Sequence, residues 1–189
     1  MNIVDRVKRL LLSPDPEWSV IAGEPATLSG LITGYVLPLA ALSAIGSLLG
    51  SLFLGLDFTF ALRVAIAGLV MALIAVVILS VIIDALAPTF GAVKSSTNAA
   101  KVAAYAPTPA WVGGIFQIIP FLGRLIAFVG ALYALYLLYL GLMRVMKSSS
   151  DKAVGYTVVV VLVVIVVGFV ASYITSTFIG IGPLMRISY

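Results

Sequence analysis

The sequence predicts an all-α fold: a polytopic membrane helical bundle of five transmembrane helices, the third one broken by prolines, with a short N-terminal amphipathic helix. Three observations predict it. Hydrophobic residues make up 62% of the 189 and charged residues only 10%, with a mean hydropathy of +1.23, and several apolar runs reach the roughly 20 residues a bilayer requires. Lysine and arginine gather in alternate connections between those runs, the bias that sets orientation. Lys94 to Pro120 is too apolar for a loop and too rich in proline for a plain membrane helix. The chain, 1–189, reads as a single integral membrane domain.

Residues 1–25 form the expected cytoplasmic amphipathic or interfacial segment. Ile3, Val4, Val7, Leu10 and Leu11 recur at helical spacing, with Asp5, Arg6, Lys8 and Arg9 on the other face. Such a helix lies on an anionic leaflet or packs on its own bundle. The basic start reaches only a short apolar patch before Ser13-Pro14-Asp15-Pro16, so no signal peptide is expected. Asp15-Pro16 reads as an N-cap and first-turn proline, and Trp18 as an interface anchor.

The first span covers about 28–56. Gly30 and Gly34, then Gly46 and Gly50, are small-residue pairs that let a neighbouring helix approach, and Pro38 is expected to kink it. The second span, about 60–86, is apolar until Asp84, which lies roughly 16 Å from a midpoint near Leu73, at the edge of the hydrocarbon. The third span, about 99–120, is the proline-bearing stretch. Pro107 removes a hydrogen bond to the Ala103 carbonyl and Pro109 one to the Tyr105 carbonyl, so two half-helices joined at 106–108 are expected, with Thr108 as a fresh N-cap. Freed carbonyls at membrane depth must be sheltered by protein or face a wet cavity. Gly123-Arg124 reads as a tight turn before the fourth span, about 125–143, which carries Tyr133, Tyr136 and Tyr139. The fifth, about 153–179, leads into Gly168, Ser172, Ser176 and Gly180, a stripe of small residues every four positions that should face another helix.

Orientation follows from counting basic residues. Five spans with an inner N-terminus place Arg6, Lys8, Arg9, Lys94, Lys101, Arg144, Lys147 and Lys152 inside and Arg63, Arg124 and Arg186 outside, eight against three of the 11. A third segment that dips and returns would give seven against four, so the rule prefers five crossings, with the N-terminus cytoplasmic and the C-terminus outside.

Several function classes drop out. With no cysteine and no histidine, thiolate and imidazole metal sites, Cys-His nucleophiles and Ser-His-Asp triads are excluded; no cofactor and no metal are expected, and enzyme activity is not. The net charge of +4 is accounted for by residues at membrane borders, so the expected partner is the lipid bilayer and not nucleic acid.

The order Pro16-x-Trp18-x-x-Ile21-x-x-Glu24, Phe90-Gly91-Ala92 with Lys94, Lys101-Val102-Ala103-Ala104-Tyr105-Ala106-Pro107-Thr108-Pro109-Ala110-Trp111, and Tyr133-Ala134-Leu135-Tyr136-Leu137-Leu138-Tyr139-Leu140-Gly141-Leu142 resembles the bacterial branch of the Yip-one (Ypt-interacting protein) family. The resemblance spans nearly the whole chain and implies five membrane helices with a cytoplasmic N-terminus, placed in a bacterial cytoplasmic membrane. Eukaryotic relatives bind small GTPases; this chain lacks a long cytosolic tail and an Asp-Leu-Tyr-Gly-Pro motif before the first span, so that role is not expected to transfer.

Two functional readings follow. The preferred one is a non-enzymatic membrane scaffold or assembly and trafficking factor, whose small-residue stripes build a homo-oligomer or grip other membrane proteins. The other is a channel or transporter for a small solute, ion or lipid, with Tyr105, Pro107, Thr108 and Pro109 as the broken-helix site and Asp84 and Lys101 as a polar pair at its inner edge.

Overall fold

A computed structural model describes residues 2–179, all of whose regular elements are helical. Two short helices, α1 (Ile3–Leu12) and α2 (Pro14–Gly23), precede a rod made of α3 (Leu28–Leu31), a π-turn (Ile32–Val36) and α4 (Leu37–Phe53). Then come α5 (Phe58–Leu86), α6 (Ser96–Tyr105), α7 (Thr108–Gly114), α8 (Pro120–Arg144) and α9 (Ser150–Ile179). Among the described residues, four helices are long and apolar enough to cross a membrane: Leu28–Phe53, Phe58–Phe90, Phe121–Arg144 and Ser150–Val170. The segment 96–118, split into two helices and a closing 3₁₀ turn, is not among them.

Local chemistry explains the boundaries. Asn2, Thr27, Asp57 and Ser95 each cap a helix by accepting a backbone N–H, from Val4, Gly30, Phe60 and Asn98 respectively, which satisfies one of the donors left bare at a helix start. Two expected caps are corrected. α2 starts two residues earlier, at Pro14 after Ser13, and the Asp15 carboxylate instead receives the Arg144 guanidinium at 2.7 and 2.9 Å. α7 starts at Thr108 itself, after Pro107. The turn expected at Gly123-Arg124 is absent, because the chain reverses at Ile119 and Pro120 opens α8 in the first-turn position where its missing N–H costs nothing.

In the first span, Pro38 cannot donate to the Gly34 carbonyl, and the Leu37 N–H reaches back five residues to Ile32. The extra residue carried by this π-turn points two consecutive side chains, Tyr35 and Val36, into the core. At the end of α5, Gly91 takes a positive φ of 63° that closes the 3₁₀ turn Ala87–Phe90.

Glycine contacts and hydrogen bonds fix how the segments run. From the first rod to the third segment the contacts climb together: Tyr35 with Thr108, Ser43 with Trp111, Gly46 with Gly114, Gly50 with Gln117. Those two segments are therefore parallel neighbours. α8 returns antiparallel, with Gly123 against Gln117, Ile126 against Gly113, Gly130 against Pro109 and Gly141 against Val102. α9 lies antiparallel to α5: Tyr156 stacks on Phe90 with ring centres 4.8 Å apart, and its hydroxyl donates to the Ile83 carbonyl.

The N-terminal helices are seated on this bundle. Leu10, Trp18 and Ile21 are fully buried, and the Tyr133 hydroxyl donates to the Leu11 carbonyl at 2.9 Å. Trp18 is thus a core residue, correcting its expected place as an anchor: Gly141 has no side chain, which lets α8 come up against the indole. Trp111 is buried as well, edge-on to Tyr35.

Candidate functional site

The chemistry gathers where α1 and α2 cover the N-terminal halves of the first and third segments. Arg6 is only 4% exposed and Glu17 only 3%. Arg6 holds Glu17 through Nη1 to Oε1 at 2.5 Å and Glu24 through Nη2, while Arg9 holds the other Glu17 oxygen at 2.8 Å. Burial works against the Arg6 charge, but the Glu24 hydrogen bond and the fields of Tyr105, Glu24 and Glu17 outweigh it, and its pKa is raised. The Arg6 guanidinium also lies over the Tyr105 ring, 5.4 Å from its centre. Glu17 and Glu24 are seven residues apart, about two turns and so on one side of a helix. That spacing is the signal that could have found them as joint partners of one arginine.

Below Arg6 an aromatic column runs from Trp18 to Tyr105 to Tyr35 to Trp111, with ring centres 6.3, 4.6 and 6.4 Å apart. It leads to the proline break. The Thr108 hydroxyl does not cap its own helix; it donates back to the Tyr105 carbonyl at 2.5 Å, the acceptor that Pro109 left without an N–H. Tyr35 lies 2.8 Å from the same oxygen, and since that hydroxyl hydrogen is already committed, Tyr35 is the donor. Ala106, Thr108 and Pro109 are buried, so at this carbonyl the break is closed by side chains. Replacing Thr108 with valine keeps the shape and removes both bonds. It is expected to cost about 1–3 kcal/mol, read as a lower thermal midpoint in detergent. Tyr35→Phe should cost much less on that background than alone, and a Thr108→Val midpoint equal to the parent would contradict this bonding.

Asp84 and Lys101 are not brought together, which corrects their expected pairing. They project from neighbouring helices to different sides of α6. Lys101 is 3% exposed, donates to the Ala22 carbonyl at 3.2 Å and faces Glu24. Asp84 lines a separate 350 Å³ cavity with Ser80, Lys94 and Thr97, where its Oδ1 is buried with no hydrogen-bond partner among the described residues.

The glycines divide into two groups. A methyl group added at Gly46 or Gly50 would overlap the backbone of Gly114 or Gln117, so that pair is used inside the chain. At Gly34 and Gly168 no atom comes within 4 Å among the described residues, and Gly30 meets only its own cap, Thr27. Ser172 is exposed, Ser176 bonds the Tyr173 carbonyl at 2.8 Å, and Gly180 lies outside the described residues. Of the tyrosine row, Tyr133 ties α8 to α1 and Tyr136 is exposed.

Long apolar helices packed around a buried polar seam define a polytopic α-helical membrane protein. A model of the Yip1 domain matches residues 8–172, and the chain belongs to that family. No curated protein and no solved structure matches it.

Proposed function

We propose that the chain is a five-span member of the bacterial branch of the Yip family, set in the cytoplasmic membrane with its N-terminus inside and its C-terminus outside. It acts there as a non-enzymatic scaffold or assembly factor. The fifth crossing is the split segment. From Thr108, beside Tyr35, to Gln117, beside Gly50, it accompanies the first span in one direction, which supports a traverse over a dip and return. A reporter fused after Tyr189 tests the count, since cytoplasmic activity there would refute it.

The scaffold reading is carried by one observation: the Tyr105 carbonyl at the break already accepts from the Thr108 hydroxyl, which Tyr35 bonds in turn, so the acceptor freed by Pro109 is used within the chain. The outer half of α9 supplies the surface to hold a partner. Phe169 is 74% and Val170 56% exposed, beside open Gly168 and exposed Ser172. A second copy or another membrane protein fits there by helix packing. Gly168→Leu with Ser172→Leu should reduce crosslinked oligomer in membranes at least about fivefold, equivalent to roughly 1 kcal/mol, with an unchanged melting midpoint. Undiminished crosslinking would reject that face. The transport reading draws on the unpartnered Asp84 oxygen in its cavity; solute or ion flux into liposomes, which a scaffold does not produce, distinguishes the two.

A further inference from the structure

The Asp84 cavity lies apart from the Arg6 cluster, between α5 and the start of α6. Val77, Ser80, Val81 and Asp84, at helical spacing, wall it with one face of α5. Lys94 and the first-turn residues of α6, Ser96 and Thr97, line it too. Its 350 Å³ is in the range of small-molecule sites. Because Asp84 Oδ1 is buried with no partner, Oδ2 is the oxygen open to the cavity, and among the described residues no ion pair joins it to Lys94. A carboxylate that is not met on its buried side has to be met from the cavity. Elsewhere on the wall, the Ser95 hydroxyl takes the Asn98 N–H, which leaves the Ser96 and Thr97 N–H groups without an acceptor inside the helix. Beside the Lys94 ammonium they suit an anion. The cavity thus presents one place for a cation and one for an anion.

Its depth points to the source of both charges. Asp84 precedes Phe90, where its span ends, by six residues, and Leu28, the first residue of another span, lines the same cavity. Two spans that end at one level mark the border between hydrocarbon and headgroups. Val77 and Val81 are exposed on the same face of α5, and exposed Ile74 and Val70 continue their row into the span.

We infer that this cavity binds one phosphatidylethanolamine, its ammonium donating to Asp84 Oδ2, its phosphate held by Lys94 and the start of α6, and an acyl chain laid along the Val81 to Val70 row. A lone cation would be opposed by the Lys94 ammonium, and a lipid with only negative charge would leave Asp84 unmet. The ethanolamine headgroup carries both charges, and its nitrogen keeps the N–H donors that a charge-assisted bond to Asp84 requires. The apolar row favours the lipid over the free headgroup, since apolar area buried along it adds to the polar contacts. The inference rests on neither the scaffold nor the transport reading.

The test uses the full chain in detergent, with phosphatidylethanolamine and phosphatidylcholine of matched acyl chains as probes and bound lipid counted by native mass spectrometry. The parent should retain one phosphatidylethanolamine. Phosphatidylcholine, whose trimethylated nitrogen has no N–H to donate, should be held at least about tenfold more weakly. Asp84→Asn should weaken the ethanolamine lipid by a similar factor, and Lys94→Gln should weaken both lipids about threefold. Free phosphoethanolamine at millimolar concentration should displace neither. Equal retention of the two lipids by the parent would overturn the inference, as would undiminished retention in Asp84→Asn. Tighter binding in Lys94→Gln would also overturn it, by showing that the lysine itself occupies the Asp84 oxygen. Displacement by phosphoethanolamine would do the same, by marking a site for a soluble amine. If Asp84→Asn fails to fold, the comparison of headgroups on the parent decides alone.

Discussion

Glu17→Ala is expected to be the most damaging single change outside the spans, lowering stability by about 3–5 kcal/mol. The carboxylate is 3% exposed and receives both Arg6 and Arg9. Without it the Arg6 guanidinium, 5% exposed at its side chain, keeps its charge under α2 with Glu24 as its remaining carboxylate. A half-exposed partner cannot replace a buried one, because Glu24 can turn to water while Arg6 cannot. At about 2–4 °C per kcal/mol for a chain of this size, the midpoint should fall by about 10 °C. The control is Arg6→Met with Glu17→Met, which removes the buried pair and keeps only Arg9 and Glu24, both more than a third exposed and so in reach of water. That double variant should recover most of the loss. A Glu17→Ala midpoint within about 2 °C of the parent would show that the pair contributes no net stability.

Gly46→Leu should follow with a loss of about 3 kcal/mol or more. The obstacle is backbone: an added Cβ meets the Gly114 carbonyl oxygen and lies 2.8 Å from the Ile115 Cα. A side chain could rotate aside, but a helix at its closing turn moves only as a body. The third segment would have to leave α4, breaking the Ser43 hydroxyl's 2.7 Å bond to the Trp111 carbonyl. Gly34→Leu, on the same rod but facing open space, is the matched comparison and should leave the midpoint nearly unchanged. Equal midpoints for the two variants would show that the first and third segments are not in the contact described. The same geometry makes Gly46 a poor probe of association between copies, since its surface is already covered within the chain.

Four of the five expected spans were legible because apolar length is a one-dimensional property. The break was legible too, because a proline deletes a hydrogen bond at a position that can be counted. Its repair was not: Thr108 could cap forward or bond backward, and only the arrival of Tyr35 from 73 residues away selects the second. Periodicity puts Arg6 on the wet face of an amphipathic helix, because it separates apolar from polar residues but cannot find a carboxylate on the next helix. Local sequence likewise makes Trp18 look like an anchor, since the glycine that accommodates it is the distant Gly141. Asp84 and Lys101 are near in depth, but the direction each takes around α6 depends on packing that depth does not encode.

The seating of α1 and α2 carries a consequence for how the molecule is made. Their charge cluster is local, joining residues 11 and 18 positions apart, and can assemble as soon as both helices exist. Their floor is Val102, Tyr105 and Gly141, which follow much later in synthesis. The lid is thus built early and shut late. Until α8 is inserted, the Trp18 indole has no slot, and a nascent chain stalled before Gly141 would present that ring to chaperones or to the headgroup layer.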